Sequence, residues 1–346
     1  LLNEKGEFLS GADGEKILEI AEAEAFDFSD VDSLGEITIN DAYMDIHIDE
    51  VLNLPLVDIE AVKAANFKVV VDGVNSSGGI IIPKLLEQMG VEVVKLYCEP
   101  NGHFPHNPEP LKEHLTDISA LVVEEKAHLG IVVDPDVDRL AFISEDGEMF
   151  GEEYTLVACA DYVLSKTPGN TVSNMSSSRA LRDVTVAHGG SYEASAVGEV
   201  NVVELMKKNN AIIGGEGNGG IIYPELHYGR DSLVGVALFL THLANKKMKV
   251  SELRASYPEY YMSKNKIELT PQIDVDAILV AMTDKYKSEN ITTIDGVKID
   301  FAENWVHLRK SNTEPIIRIY TEAATQQLAD DLALRIIDEI QAIAGI

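Results

Sequence analysis

The chain has 346 residues, of which 45% are hydrophobic and 6% aromatic, so it can bury an ample core and should divide into several domains. Its 58 acidic residues against 28 basic ones give a formal net charge of −30, which excludes a nucleic-acid binder because no basic stripe could neutralise phosphates. No apolar run approaches the roughly 18 to 20 residues that span a bilayer, so we expect no membrane partner. Cys98 and Cys159 are widely separated in the sequence, which indicates free thiols in a cytoplasmic protein.

The first predicted element is an amphipathic segment near the N-terminus, with Asp13 as its expected helix cap. Residue 1 is Leu rather than Met, and the opening segment begins in the middle of a structural unit. We therefore expect residues 1–47 to be the remnant of a truncated first α/β domain.

Strands and helices then alternate along residues 48–150, which predicts a second α/β domain with parallel βαβ units. A helical stretch over residues 109–127 leads to the apolar strand 129–133, and a hairpin turning at Asp146 and Gly147 closes the domain. The same order recurs over residues 151–258, which indicates a third domain made by duplication of the α/β unit.

From about Met262 the order changes to a strand, a helix, several strands and a final helix. Residues 259–346 are therefore predicted to form a smaller α+β domain at the C-terminus. The predicted fold class is α/β, with tandem mixed α/β domains followed by this α+β domain.

The first motif with chemical content is DPDVDRL, residues 134–140. If the preceding strand continued, its alternate side chains would point the same way, so Asp134, Asp136 and Asp138 could converge on one cation. Three carboxylates are the oxygen ligands that Mg²⁺ prefers, and the carboxyl end of a buried strand is where open α/β sheets place their chemistry. The alternative is an ordinary solvated acidic loop.

The second motif is GGEGNGG, residues 214–220. Glycines permit close backbone approach, so Glu216 and Asn218 could grip a polyol by hydrogen bonds, although the segment could also be a simple mobile turn. His227, Arg230 and Asp231 follow it and add polar groups before a predicted helix that begins near Asp231.

The third motif is RKSNTEPIIR, residues 309–318. A protein this acidic can bind an anion only where local donors reverse the field, and this segment concentrates guanidinium, hydroxyl and amide groups. The candidate phosphate ligands are Arg309, Ser311, Asn312, Thr313 and Arg318. An ordinary hairpin with a surface arginine is the alternative.

Together the three motifs, in this order and at this spacing, resemble the loops of the α-D-phosphohexomutase superfamily, which comprises phosphoglucomutases, phosphomannomutases and phosphoglucosamine mutases. The resemblance covers nearly the whole chain, but the chain lacks most of the family's first domain. It implies that DPDVDR is the magnesium loop, GEGNGG the sugar loop and RKSNTEPIIR the phosphate loop.

The resemblance also implies a role for each motif residue. Asp134, Asp136 and Asp138 would bind Mg²⁺, Arg139 would support phosphoryl transfer, and Glu216 and Asn218 would hold sugar hydroxyls. The reaction implied is exchange between the 1- and 6-positions of a hexose phosphate: a phosphoserine donates its phosphoryl group, and a bisphosphorylated hexose reorients and returns the other one.

The form of the sugar loop most resembles phosphoglucosamine mutases. Phosphoglucomutase or phosphomannomutase activity is the alternative, because the loops contact phosphate and hydroxyl groups that the three hexose phosphates share. The sequence leaves the oligomeric state open, a homodimer included.

One departure from the family pattern concerns the nucleophile. The family carries a phosphorylated serine in a loop of the type T/S-A-S-H-N-P, and this sequence contains no such motif. The serines Ser76, Ser77 and Ser176 to Ser178 lack the flanking His-Asn-Pro, and we interpret them as structural. We therefore expect these 346 residues to be inactive as a mutase on their own.

Two rival hypotheses remain. A non-catalytic protein that binds sugar phosphates would keep the pocket without the nucleophile. A metal-dependent phosphatase could use the aspartate loop, but its aspartyl nucleophile would normally follow the first strand of the fold, whereas these aspartates fall late in their domain.

Overall fold

The structure is a computed structural model that describes residues 1–268, 274–311 and 315–344. The helices are α1 Gly11–Glu22, α2 Tyr43–Leu52, α3 Ile59–Ala65, α4 Gly78–Gln88, α5 Thr116–Glu124, α6 Glu152–Lys166, α7 Arg179–Ala187, α8 Glu199–Asn209, α9 Ser232–Lys246, α10 Val250–Ala255, α11 Val275–Lys285 and α12 Gln326–Ala344. The strands are β1 Lys68–Asp72, β2 Glu92–Leu96, β3 Leu129–Val133, β4 Leu140–Ser144, β5 Asn170–Asn174, β6 Tyr192–Ser195, β7 Ala211–Glu216, β8 Gly220–Ile222, β9 Tyr261–Glu268, β10 Asn290–Thr292, β11 Val297–Asp300, β12 Trp305–Lys310 and β13 Ile316–Ala323. Among the described residues, none of the helices combines the length and apolarity that crossing a bilayer requires.

The first sheet has the strand order β2-β1-β3-β4. Its first three strands are parallel, and β4 runs antiparallel to β3. Every residue of β3 and β4 is buried, as expected for apolar strands covered on both faces. The predicted α/β fold is confirmed here, but the hairpin at Asp146 and Gly147 is reduced to a turn with one isolated bridge between Ile143 and Met149.

The second sheet repeats this topology, with the order β6-β5-β7-β8. Strands β6, β5 and β7 are parallel, and β8 returns antiparallel to β7. The predicted tandem α/β architecture is therefore confirmed strand by strand.

Helices α6 and α9 pack between the two sheets. The sequence of α9 is apolar on nearly all sides, and thirteen of its residues are buried, as expected for an internal helix. The ring of Phe239 on α9 stacks on Phe142 of β4 at 3.8 Å between centroids and meets Phe150 edge-on. One continuous apolar core therefore joins the two α/β units.

The C-terminal unit is a five-stranded antiparallel sheet with the order β10-β11-β12-β13-β9. Helices α11 and α12 pack against it around a separate apolar core that contains Met282, Leu308 and Ile336. The predicted change to an α+β layout is confirmed.

Two local predictions were wrong. The helix predicted over residues 109–127 is shortened to α5, because the chain is still extended at Leu111 after Pro110 and then forms a 3₁₀ turn, Lys112–His114. The cap of α1 is Ser10 rather than Asp13, since the Ser10 hydroxyl accepts the Asp13 N–H. Of residues 1–47, all of which the structure describes, none has a buried side chain.

Candidate active-site cleft

The aspartate motif forms the connection between β3 and β4, so it lies at the carboxyl end of a central parallel strand. The carboxylates of Asp134, Asp136 and Asp138 each place an oxygen within 4.8 Å of the other two. The predicted convergence is therefore present in the folded chain.

The convergence arises from a turn, so the prediction that it follows from the alternation of side chains along a strand was wrong. The strand ends at Val133, and Val137 has a positive φ of 64°, which is unusual for a β-branched residue. One oxygen of Asp134, Oδ1, accepts the backbone N–H groups of Asp138 and Arg139 at 3.0 Å each. This Asx-type capping folds the loop back and leaves the second Asp134 oxygen available to a cation.

Serines from two other elements hold the loop in place. The hydroxyls of Ser76 and Ser77 both donate to the Pro135 carbonyl, at 2.9 and 2.7 Å. Ser232 at the start of α9 donates its N–H to the Val137 carbonyl at 3.1 Å and its hydroxyl to the carbonyl of Arg139. These contacts give Ser76 and Ser77 a positioning role, in agreement with the structural interpretation of that pair.

The loop has an excess of negative charge. Burial raises the pKa of Asp134 to about 7, with further contributions from Asp138 and Asp136, and burial also raises the pKa of Asp138. A divalent cation would relieve this repulsion, the ligand set is all oxygen, and the exposed Asp136 gives access from solvent. The residues present therefore fit Mg²⁺.

The glycine-rich motif is shorter as a loop than predicted. Gly214, Gly215 and Glu216 belong to β7 and Gly220 to β8, so three residues, 217–219, make the connection. Strands β7 and β8 pair as far as Glu216 and Gly220, because the glycines of the motif let the two backbones come close together. Gly219 has a φ of 83°, and a Cβ there would lie 2.0 Å from the Leu140 carbonyl oxygen, so the loop packs directly on the start of β4.

Glu216 is nearly buried and is held by three elements. Its Oε1 accepts the Asn174 amide at 2.9 Å and the Gly198 N–H at 3.2 Å, and its Oε2 accepts Arg230 Nη1 at 3.1 Å. Asn218, half-buried beside it, accepts the Gly220 N–H through its side-chain oxygen. The hairpin thus presents an oriented carboxylate and an amide at the cleft.

Arg230 links this hairpin to the aspartate loop. Its guanidinium also pairs with Glu199, at 2.8 Å, and with Asp138. The guanidinium is itself largely buried, so it balances three carboxylates away from bulk water.

The phosphate motif begins on β12 and ends on β13. Arg309 and Arg318 are directly paired across these strands. The Nε atom of Arg309 lies 3.4 Å from Asp295, and the Ser311 N–H donates to the Ile316 carbonyl at 3.0 Å. The other two predicted ligands, Asn312 and Thr313, lie outside the described residues.

A cleft of about 420 Å³ brings these segments together. Its described basic lining comprises Arg139, Arg230, Lys264, Arg309 and Arg318. Its described acidic lining comprises Glu109, Glu152, Glu153, Glu199 and Glu216, and Asn218 is also part of the wall. The cleft therefore balances carboxylates with cations in an otherwise strongly acidic protein.

Some of the predicted ligands stand behind the wall of the cleft. The described lining residues do not include the three aspartates or Ser311. Arg139 stands between the aspartates and the cleft: it donates to Glu109 at 3.0 Å, and its Nε lies 3.7 Å from Asp134 and 3.9 Å from Asp138.

Three ionisable residues in the wall, Glu152, Glu153 and Lys264, carry no signal in the sequence. Glu153 is half-buried at the wall of the cleft and accepts the Ser178 N–H at 2.9 Å, and desolvation of its carboxyl group raises its pKa to about 8. In the sequence it looks like an ordinary acidic residue in the first turn of a helix. Lys264 projects from β9 and pairs with Glu152, and neither residue belongs to a recognisable local motif.

Ser176 also lines the cleft, and its hydroxyl lies 2.9 Å from Nδ1 of His307. Burial lowers the pKa of His307 to about 4, so its ring is neutral at physiological pH. The ring Nε2 lies 2.7 Å from the Asp295 carbonyl and must donate to it, so Nδ1 accepts the Ser176 hydroxyl. Ser178 instead caps α7, accepting the Ala180 N–H.

Three family models match consecutive segments of the chain. Domain II of phosphoglucomutase/phosphomannomutase matches residues 45–147, domain III matches residues 151–261, and the C-terminal domain matches residues 263–339. The fold and the three motifs therefore fall within segments that this family shares.

Individual relatives agree with the family models. A phosphoglucomutase/phosphomannomutase of Thermococcus kodakarensis is 36% identical over 82% of this chain and 63% of its own length. A probable phosphoglucosamine mutase of Methanopyrus kandleri is 30% identical over 90% of this chain and 68% of its own length. The chain thus spans about two thirds of the length of these relatives.

The crystal structure of a phosphoglucomutase/phosphomannomutase family protein from Burkholderia thailandensis shares the fold. It aligns with a TM-score of 0.83 and 23% identity, over 97% of this chain and 71% of the other. With its three family domains, its two relatives and this fold in agreement, the chain belongs to the phosphoglucomutase/phosphomannomutase family.

Proposed function

We propose that the cleft is the substrate site of a phosphohexomutase, which exchanges a phosphoryl group between the 1- and 6-positions of a hexose phosphate. The observation that carries this proposal is the meeting of Arg139, Glu216 and the Arg309–Arg318 pair in one cleft. Each comes from a different structural unit, and together they offer groups for a transferring phosphate, a sugar and a second phosphate.

The aspartate loop would supply the metal site. Asp134, Asp136 and Asp138 would hold Mg²⁺, which would neutralise charge developing on the transferring phosphoryl group. A solved structure of Aspergillus fumigatus N-acetylphosphoglucosamine mutase is described as a complex with GlcNAc-6P and magnesium, which supports this assignment. Arg139 lies between the loop and the cleft, so its guanidinium would contact the same phosphoryl group.

The opposite wall would fix the rest of the substrate. Arg309 and Arg318 would bind the phosphate that is not being transferred, since two guanidiniums on paired strands can make several charge-assisted hydrogen bonds. Glu216 and Asn218 would accept and donate hydrogen bonds to the sugar hydroxyls. The C-terminal sheet would thereby set the distance between the two phosphate positions.

We infer that a glucosamine phosphate is the preferred substrate. The described lining of the cleft carries as many carboxylates as cations, which suits a ligand bearing both a phosphate and an ammonium group. The name of the Methanopyrus kandleri relative agrees with this choice. Glucose or mannose phosphate is the alternative, in line with the name of the Thermococcus kodakarensis relative.

Calorimetric titration with glucosamine, glucose and mannose 1-phosphates tests the site and its preference. Arg309→Ala and Arg318→Ala should each weaken binding by about ten- to a hundredfold, because each removes charge-assisted hydrogen bonds. Lysine at either position should rescue only partly, since it cannot make the planar two-point contact. Arg335→Ala, on the exposed side of α12 in the same unit, is the matched control. Parental affinity in both cleft variants at low salt would refute the phosphate assignment.

The metal assignment has its own titration. Mg²⁺ binding should be lost in an Asp136→Asn, Asp138→Asn double variant and kept in Asp284→Asn, which changes an exposed aspartate on α11. Unchanged Mg²⁺ affinity in the double variant would refute it.

We further propose that the phosphate-carrying serine is not among these 346 residues. Residues 1–346 should therefore bind the sugar phosphate without turnover, even with Mg²⁺ and a bisphosphorylated hexose present. Clear conversion of a hexose 1-phosphate by this purified chain would contradict the proposal. Mass spectrometry of the natural protein separates an enzyme with a serine loop from a binding protein without one.

A further inference from the structure

A second group of metal-ligating side chains lies outside the cleft. Within residues 1–268, 274–311 and 315–344, two groups of three such residues place their ligand atoms within 4.8 Å of one another. One is the aspartate loop, and the other comprises His47 on α2 together with His227 and Asp231 from the segment that leads into α9.

Asp231 is the fixed centre of this group. Its carboxylate is almost fully buried, and its Oδ1 accepts the N–H groups of Leu233 and Val234 at 2.7 and 3.2 Å. Its other oxygen, Oδ2, faces both imidazoles: His47 Nε2 lies 2.7 Å away and His227 Nε2 lies 3.0 Å away. Two nitrogens from distant parts of the chain therefore converge on one carboxylate oxygen.

The protein contains an internal contrast to this arrangement. Asp161 also lies between two imidazoles, but His188 Nε2 is 2.7 Å from its Oδ1 and His242 Nε2 is 3.1 Å from its Oδ2. The two rings there sit on different oxygens, and the three residues do not form one of the convergent groups among the described residues. Flanking a carboxylate with two histidines does not by itself bring their nitrogens together.

We propose that His47, His227 and Asp231 form a binding site for a divalent transition-metal ion such as Zn²⁺. Two imidazole nitrogens and a carboxylate oxygen are ligands that Zn²⁺ and Co²⁺ accept readily and Mg²⁺ does not. The two imidazoles are partly exposed, and a cavity of about 320 Å³ opens on the group, which leaves a position for water as the fourth ligand. On binding, an imidazolium would release its Nε2 proton to solvent, and a neutral ring would bind through Nε2 with its proton on Nδ1.

An ion at this position would connect α2 to the aspartate loop through the start of α9. The same cavity is lined by Asp136 of the aspartate loop and by Arg230. Asp231 caps α9, and the next residue, Ser232, holds the backbone of the aspartate loop. The metal would thus fasten α2 to the helix start that positions the magnesium loop.

Cobalt titration followed by visible absorption tests this proposal directly. With excess Mg²⁺ present to fill the oxygen site, the protein should bind one equivalent of Co²⁺ with the strong absorption of a four- or five-coordinate centre, and Zn²⁺ should abolish the signal. His47→Gln and His227→Gln should each weaken Co²⁺ binding on the order of tenfold or more. His188→Gln, at the non-convergent pair, should bind like the parent, and so should the Asp136→Asn, Asp138→Asn double variant.

Circular dichroism without metal checks that each variant is folded, and the Zn²⁺-induced rise in thermal midpoint gives a second measurement. That rise should appear in the parent and in His188→Gln but not in His47→Gln. The proposal is overturned if the parent binds no Co²⁺ in excess Mg²⁺, if both histidine variants keep parental affinity, or if the aspartate-loop variant loses the signal.

Discussion

The β3–β4 and β7–β8 connections occupy the same position in two sheets of the same topology, and they differ in length and in chemistry. In each sheet the third strand of the parallel set turns back into an antiparallel edge strand. The first connection has six residues, 134–139, and carries three carboxylates. The second has three residues, 217–219, and carries its carboxylate at the end of the strand.

The first connection combines capping by its own residues with hydrogen bonds from Ser76, Ser77 and Ser232. Asp134 accepts two N–H groups from the next five residues, and the three aspartates converge within the turn. The second connection depends on distant partners, because Glu216 is held by Asn174, Gly198 and Arg230. The longer turn thus gathers three carboxylates within one loop, whereas the shorter one presents a single carboxylate that residues of other segments hold.

Arg230 is the residue that makes the two connections interdependent, because its guanidinium contacts Asp138 in one and Glu216 in the other. Arg230→Met should uncouple them and leave three largely buried carboxylates without a cation. We expect a loss of about 3–5 kcal/mol in the free energy of unfolding, the size typical for breaking a buried charge pair. Urea denaturation followed by circular dichroism measures this change.

The matched control is Arg182→Met. Arg182 is 43% exposed and pairs with its neighbour Asp183, so its removal should change stability by about 0–1 kcal/mol. If Arg230→Met were as stable as this control, the two connections would not depend on their shared guanidinium.

The same contrast explains how much could be predicted from the sequence. The tandem sheets, the α+β unit and the clustering of Asp134, Asp136 and Asp138 depend on periodicity and short spacing, and these were readable. The shape of the aspartate turn could not be predicted, since it depends on two backbone N–H groups that both donate to one oxygen of Asp134.

The remainder of the cleft depends on contacts between residues far apart in the chain. Glu153 lies beside the sugar loop, Lys264 reaches the cleft from β9, and Ser176 meets His307 across 131 positions. No local pattern encodes such contacts, because each residue type would look equally ordinary on a solvated surface. Ser176 and His307 meet because the segment after β5 contacts the C-terminal sheet, where Lys298 also donates to the Met175 carbonyl.

Glu153, which lies beside the β7–β8 connection, should make the free energy of unfolding depend on pH. Burial raises its pKa to about 8 from 4.5, so the folded protein keeps a proton that the unfolded chain releases. Its contribution to stability is therefore complete below pH 4.5 and is lost progressively as the pH rises through about 8. Glu153→Gln, which stays neutral and can still accept the Ser178 N–H, should be less sensitive to pH across that interval.

Urea unfolding at several pH values measures this effect as the difference between parent and variant. The difference should grow in favour of Glu153→Gln toward pH 8, whereas Glu60→Gln, at an exposed position on α3, should give a constant difference. Parallel stability curves for the parent and Glu153→Gln would show that Glu153 is ionised in the folded protein throughout.

The smallest expected effect concerns Gly217 in the β7–β8 connection, where the Glu153 carboxyl group leaves little space for a side chain. A Cβ at Gly217 would lie 2.1 Å from Glu153 Oε1, and no positive φ is required there, so the clash alone makes alanine unfavourable. Gly217→Ala should destabilise the protein by about 1 kcal/mol, the low end of the cost of overpacking, because the Glu153 carboxyl group ends a flexible side chain at the wall of the cleft. It should also weaken sugar-phosphate binding, because the displaced loop carries Asn218, while Mg²⁺ affinity at the other connection stays unchanged.

The cause can be isolated with a double-mutant cycle. In a Glu153→Ala background the obstructing carboxyl is absent, so Gly217→Ala should lose most of its effect on stability and binding. Gly14→Ala, where a Cβ meets nothing within 4 Å, controls for the general effect of replacing a glycine. Equal losses from Gly217→Ala in both backgrounds would mean that the backbone of the hairpin, rather than contact with Glu153, demands glycine. In that case the backbone conformation of residues 217–219, and not a contact with a distant side chain, would limit the short connection.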